Sequence, residues 1–203
     1  MNRILRFSII LLFTVGCSTK KKDPPKYKSE SAFIDSTDFK FFGLKEFDIH
    51  KWYDGEVKLK ALTKNQVEKY YQYRLRPDTS DTTYYLFYSI QKNLDEQKII
   101  TIIDGATGRF PDLRMLTYDE NDSLIGFYTV AGMGGSPDWN FKYKVASKQD
   151  TDSTFLSTRI DEYVSEFDTL GKVKRDSTIT RFRINLGYMK GVNVLEKKKY
   201  KLE

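Results

Sequence analysis

The sequence predicts a mainly β domain: an antiparallel meander that forms an open curved sheet or a partly closed barrel, with one short helix toward its N-terminal side. Three observations carry this. Tyr and Phe, at 14 each in 203 residues, supply core material that favours strands. From residue 84 onward, apolar residues recur at period two rather than at helical spacing. Three connections also share one chemistry: Leu94-Asp-Glu-Gln-Lys-Ile99, Tyr118-Asp-Glu-Asn-Asp-Ser-Leu124 and Phe167-Asp-Thr-Leu-Gly-Lys-Val173. Each is an apolar residue, an Asp, a few turn formers, and an apolar residue that opens the next run. Asp and Asn support such turns by bonding the local backbone, and successive hairpins make a meander.

In chain order, the first strong element is the helix. Thr63-Lys-Asn-Gln66 fits a capping box, and Val67, Tyr70 and Tyr71 follow at helical spacing. The helix should end near Leu75, because Arg76 precedes Pro77 and is driven toward extended geometry. Strands are expected over 84–91, 98–104, 113–118, 124–131, 140–146, 154–167 and 177–188. In the second of these, Ile99, Ile100, Ile102 and Ile103 are dense enough for burial on both faces. In the last, Thr178, Thr180, Phe182 and Ile184 share one face while Arg181 and Arg183 share the other, as in a sheet with one wet side. A final strand over 192–200 closes the sheet as an edge, with Lys197, Lys198 and Lys199 discouraging pairing with other chains.

Ahead of the domain lies a different kind of segment. Residues 1–16 carry Arg3 and Arg6, then a short apolar centre from Ile9 to Phe13. That is the layout of a secretory signal peptide, and it is shorter than the roughly 20 residues needed to span a bilayer. It ends in Thr14-Val15-Gly16-Cys17, which resembles the lipobox of bacterial lipoproteins. The resemblance covers about a tenth of the chain, and Thr and Val replace the commoner Leu-Ala pair. It implies cleavage between Gly16 and Cys17 and a covalent lipid on the Cys17 thiol. Cys17 is the only cysteine, so an internal disulfide is excluded. Residues 17–31 then form a lipidated, basic, flexible tether, and 32–203 form one β-rich domain.

The charge distribution matches that division. The chain holds 34 Lys+Arg and 28 Asp+Glu. Arg3 and Arg6 belong to the leader, and Lys20, Lys21, Lys22, Lys26 and Lys28 stand against Asp23 in the tether. The rest is balanced, at 27 basic and 27 acidic residues. Nucleic-acid binding usually calls for a basic domain face, so a nucleic-acid partner is not expected. Lys20, Lys21 and Lys22 suit contact with anionic headgroups, at about 1 kcal/mol each; a purely solvated tether is the alternative. By the same resemblance, Ser18 after the cysteine favours the outer membrane, and the basic tether favours a periplasmic orientation.

Candidate sites in the domain are few. The stretch Ala131-Gly-Met-Gly-Gly-Ser-Pro-Asp-Trp-Asn140 reads as a long hairpin loop with glycines at positive φ. Gly134, Gly135 and Trp139 form a possible binding loop, although Trp139 also suits a cover for one end of the sheet. Pro137 and the strand that follows argue against a phosphate cradle. His50 is the only histidine, and its neighbours look like a strand running into the Asp54-Gly55 turn. No Gly-x-Ser-x-Gly elbow accompanies it. Asp119, Glu120 and Asp122, and separately Asp150 with Asp152, read as turn chemistry rather than a calcium loop. No catalytic residues, metal ligands or cofactor other than the lipid on Cys17 are assigned.

The resulting expectation is a lipid-anchored cell-envelope protein whose β domain binds a protein or small ligand. Two alternatives stay open: an envelope hydrolase that uses a carboxylate pair, and an immunity or inhibitor lipoprotein against an envelope-acting toxin. Facing carboxylates in the fold would favour the hydrolase.

Overall fold

In a computed structural model, the described residues are 33–75, 80–91, 97–106, 108, 110–136, 140–151, 153–164, 171–184 and 192–202. They belong to one unit, Phe33–Glu203. Two short strands, β1 (Phe41–Phe42) and β2 (Glu46–Phe47), precede helices α1 (His50–Tyr53) and α2 (Lys64–Leu75). Eight longer strands follow: β3 (Tyr85–Ile90), β4 (Lys98–Asp104), β5 (Asp112–Tyr118), β6 (Leu124–Ser136), β7 (Phe141–Gln149), β8 (Thr154–Val164), β9 (Val173–Ile184) and β10 (Val192–Leu202). From β3 to β10 every neighbour in sequence is an antiparallel neighbour in space. β1 adds a parallel pair on β3, and β2 pairs with the end of β7. The result is the open, mostly antiparallel curved sheet that the period-two pattern predicts.

The capping box forms as the sequence requires. Gln66 Oε1 accepts from the Thr63 backbone N–H at 2.8 Å, and Thr63 Oγ1 accepts from the Gln66 N–H at 3.4 Å. Val67, Tyr70 and Tyr71 are buried and join Tyr85, Phe87, Ile100, Ile102, Leu116, Tyr118 and Leu124 in one apolar cluster. The intervening residues Ile99, Ile103, Leu113 and Met115 form a second cluster with Phe47, Ile49, Val130, Ala131, Phe155 and Phe182. Strands β4 and β5 are therefore covered on both faces, by the helix side and by residues of β8 and β9. Phe182 packs 4.0 Å from Tyr128 and 5.4 Å from Phe155, measured between ring centres. These contacts bring the last strands back over β6, and β10 also comes near β6.

β6 joins the two parts of the sheet. Residues from Leu124 to Gly132 pair with β5, and those from Gly132 to Ser136 pair with β7. Gly132 pairs on both sides, with Asp112 and with Val145. Register shifts beside Val130 and Ile125 add residues to β6, and such bulges bend and twist a strand.

Two local expectations are corrected. Residues 131–136 are strand, not loop, so Gly134 and Gly135 sit in the β6 ladder opposite Tyr143 and Lys142. None of the described glycines in that stretch has positive φ; Gly43, Gly55, Gly105 and Gly171 do. The physical reason for glycine here is close approach. A Cβ on Gly135 would lie 2.7 Å from the Phe141 carbonyl oxygen, and one on Gly132 would lie 2.4 Å from Asp112 Oδ1. Second, His50 opens a helical turn rather than extending a strand. Asp48 Oδ1 accepts its backbone N–H at 2.7 Å, and the turn ends at Gly55, φ +78°.

Candidate functional site

Alternation in β7, β8, β9 and β10 puts Tyr143, Arg159, Asp161, Tyr163, Asp176 and Lys199 on one face. The register supports this: Tyr143 lies opposite Asp161, Asp161 opposite Asp176, and Lys199 opposite Thr178. The same face reaches β5, because the Tyr143 hydroxyl donates to Asp112 Oδ1 at 3.3 Å. A band of aromatic and ionic groups thus crosses the sheet from Asp112 to Lys199. Gly134 lies opposite Tyr143 on β6, and Gly132 makes room for the Asp112 carboxylate.

Tyr143 is its centre. Phe110 stacks on it with ring planes 5° apart and centres 6.2 Å apart. The Arg159 guanidinium stands 4.5 Å from the ring centre, a cation–π contact worth about 0.5–1 kcal/mol at a partly exposed position. Asp161 holds that guanidinium, with Arg159 Nε donating to Oδ1 at 2.8 Å and to Oδ2 at 3.1 Å. Phe110 is 47% exposed, so the stack presents one aromatic face to water beside a cation and several carboxylates.

Asp161 and Asp176 lie directly opposite each other, an arrangement that like charges destabilise. Each has its own counter-charge. Arg159 holds Asp161, and Lys199 Nζ reaches Asp176 Oδ2 at 2.7 Å, where the Tyr163 hydroxyl also donates at 3.3 Å. The Lys199 hydrogen bond lowers the Asp176 carboxyl below its ordinary value.

Asp112 behaves in the opposite way. Burial raises its carboxyl above the ordinary carboxylate value, against the pull of Arg114 and the Tyr143 hydroxyl. Burial also pushes the Tyr143 hydroxyl up to about 12, with the Asp112 charge adding to the effect. Asp104 pairs with Asp112 across β4 and β5; burial raises it too, while Arg114 and the Tyr71 hydroxyl lower it. Arg114 Nε lies 2.9 Å from Asp104 Oδ2, but its N–H is not directed at an acceptor. That contact is ionic rather than a well-formed hydrogen bond.

The residues singled out in the sequence lie elsewhere. Gly16, Cys17, Lys20, Lys21, Lys22 and Trp139 are outside the described residues. Gly134 and Gly135 adjoin the band as strand residues. His50 is a helix-opening residue at α1. Asp119 accepts the backbone N–H groups of Asn121 and Ser123 at 3.0 and 2.8 Å, which is turn chemistry. Asp122 pairs with Lys98, and Asp150 with Arg181. Among the described residues, no group of three or more His, Cys, Asp or Glu side chains is arranged to hold a metal ion. No helix among them is long and apolar enough to cross a membrane.

Phe110, Asp112, Tyr143, Arg159, Asp161 and Asp176 went unnoticed as a set because they span more than 60 positions in sequence. One signal was available: aromatic or charged residues recurring at period two as Phe141 and Tyr143, and as Arg159, Asp161 and Tyr163. No family model, no curated protein and no solved structure matches this chain.

Proposed function

We propose that this is a lipid-anchored cell-envelope protein whose β domain binds a protein or small ligand through the band centred on Tyr143. The observation that carries the binding reading is the exposed Phe110 ring stacked on Tyr143, flanked by Arg159, Asp161 and Asp112. An aromatic anchor ringed by groups that fix orientation is how binding surfaces obtain both energy and specificity. The anchor reading is carried by the leader and by Gly16-Cys17, with Lys20, Lys21 and Lys22 next to the headgroups. The lipid would be held at the outer membrane with the domain facing the periplasm.

One experiment addresses both parts. A photo-crosslinking residue at position 110 is compared with one at Phe42, which is 60% exposed and distant in sequence. Both are made in the native envelope, with and without Cys17→Ser. The proposal expects capture from position 110 only, and loss of membrane association on fractionation of Cys17→Ser. Equal capture from both positions would remove the site, and a membrane-retained Cys17→Ser would remove the anchor.

A second reading has one observation in its favour. Asp104 and Asp112 stand opposite each other and burial raises both carboxyls, a pattern that also arises in acid–base sites. If Asp104→Asn or Asp112→Asn abolished a measured hydrolysis of envelope glycan or peptide, the hydrolase would replace the binding protein.

A further inference from the structure

The edge strand β10 carries an inference independent of the Tyr143 band. Among the described residues β10 pairs with β9 alone, so the backbone groups on its other side have no strand partner. It approaches β6 without pairing with it, and its side chains over 193–202 are all exposed. An antiparallel strand directs backbone N–H and C=O groups alternately to both sides. Eleven residues of such an edge would accept another chain unless something prevents it.

Its side chains sort by face. Lys197, Lys199 and Lys201 lie on the face of Asp176 and Thr178, as the pairs with Thr180, Thr178 and Asp176 show. Lys198, Tyr200 and Leu202 lie on the other, where Tyr200 and Leu202 are 45% and 40% exposed. Lys199 is engaged with Asp176 and Lys198 with Glu196. Lys197 and Lys201 have no ion pair among the described residues. A second copy of the chain fits poorly. Any antiparallel self-pairing centred on 197–199 sets lysine opposite lysine, and like charges in that position destabilise a sheet.

From this charge pattern we infer that the free edge of β10 binds an extended acidic segment of another protein, added as an eleventh strand. Backbone hydrogen bonds would supply most of the affinity, and alternate side chains the choice of partner. Carboxylates at every second position would face Lys197 and Lys201. The intervening residues would be apolar, against Tyr200 and Leu202. The lysines thus exclude copies of this chain and admit the opposite charge.

The test uses the full chain and a fluorescent nine-residue peptide of alternating Glu and Val. Three further peptides serve as controls: one alternating Lys and Val, and two Glu–Val peptides with alternate amides N-methylated, one on each edge, so that in each a single edge cannot pair. Anisotropy should show binding of the Glu–Val peptide, at least tenfold weaker binding to Lys197→Glu/Lys201→Glu, and recovery of that variant with the Lys–Val peptide. N-methylation on the pairing edge should abolish binding. Because Lys201 lies opposite Asp176, the double variant should melt somewhat lower. Lys197→Glu alone, opposite Thr180 and without an ion pair among the described residues, should melt like the parent and still bind the Glu–Val peptide more weakly. Binding indifferent to N-methylation on either edge would reduce the effect to charge alone and overturn strand addition. Binding unchanged in the double variant would overturn the assignment to β10, and sedimentation showing a dimer held through this edge would give the edge to a second copy.

Discussion

Gly132 is the residue at which both parts of the sheet share a strand, and its missing side chain is occupied by Asp112. A Cβ there would stand 2.4 Å from Asp112 Oδ1, so Gly132→Ala must displace the carboxylate from the Tyr143 and Thr129 hydroxyls. Overpacking of this kind costs about 1–3 kcal/mol. In urea titration the loss should shrink when Asp112→Ala is combined with it, since the two side chains then no longer compete. Equal losses in both backgrounds would mean that the clash is relieved in some other way.

The titration of the band has two opposite signs. Asp104 and Asp112 have folded-state values raised from 3.8 by burial. The folded protein therefore holds their protons longer than the unfolded chain does. Their contribution is fully present below 3.8 and is lost as pH rises through the raised values. Asp176 has a lowered value; its contribution is present above 3.8 and is lost as pH falls through that lowered value. Urea midpoints measured from about pH 2 to pH 7 should separate the two. Asp112→Asn should flatten the decline above 3.8, and Asp176→Asn should flatten the acid limb.

At the scale of the element, α2 shows local chemistry and tertiary contact in competition. Its capping box and buried face follow from residues 63–71. At Gln72, however, the backbone leaves the helix, with φ 52° and ψ −166°. The side chain explains the tolerance. Gln72 Nε2 donates to the Asp122 carbonyl at 2.7 Å, and its Oε1 accepts the Leu124 N–H at 2.9 Å. The residue clamps the end of α2 to the β5–β6 turn, where Asp122 is itself left-handed at φ 64°. That backbone region costs a non-glycine residue about 1–3 kcal/mol. Gln72→Ala keeps the strain and loses both bonds, for an expected loss of about 1–3 kcal/mol. Gln72→Gly loses the same bonds but relieves the strain, so it should be the milder change in the same denaturation experiment. If alanine proved the milder, the strain would not be stored at this residue.

For the whole molecule, the proposed division of the chain into leader, tether and domain leads to a test of its charge. Among the described residues some of the domain's charges pair across strands, as with Arg175–Glu162 and Lys199–Asp176. The basic surplus belongs to residues 1–28. Replacing Lys20, Lys21 and Lys22 by Ser should weaken binding to anionic vesicles and leave the melting temperature of the domain unchanged. A fall of several degrees, on the order of 1 kcal/mol or more for a domain this size, would place these lysines in the fold.

The sequence alone determined the elements whose causes are local. The capping box, the tyrosine face of α2, the Asp-centred turn at 119–123 and the period-two strands all depend on residues within a few positions of each other. Residues 131–136 misled, because a glycine that permits a turn and a glycine that permits close strand approach look alike in sequence. What distinguishes them is the neighbour that fills the vacated space, and those neighbours, Asp112 and Phe141, come from other strands. His50 misled for a related reason: the turn made by Asp48, which accepts the His50 backbone N–H, starts a helical turn where the pattern reads as a weak strand. The site itself was decided by tertiary structure. Phe110, Asp112, Tyr143, Arg159, Asp161 and Asp176 become one band only when the register of β5 to β9 brings them together, and that register depends on pairing between residues tens of positions apart.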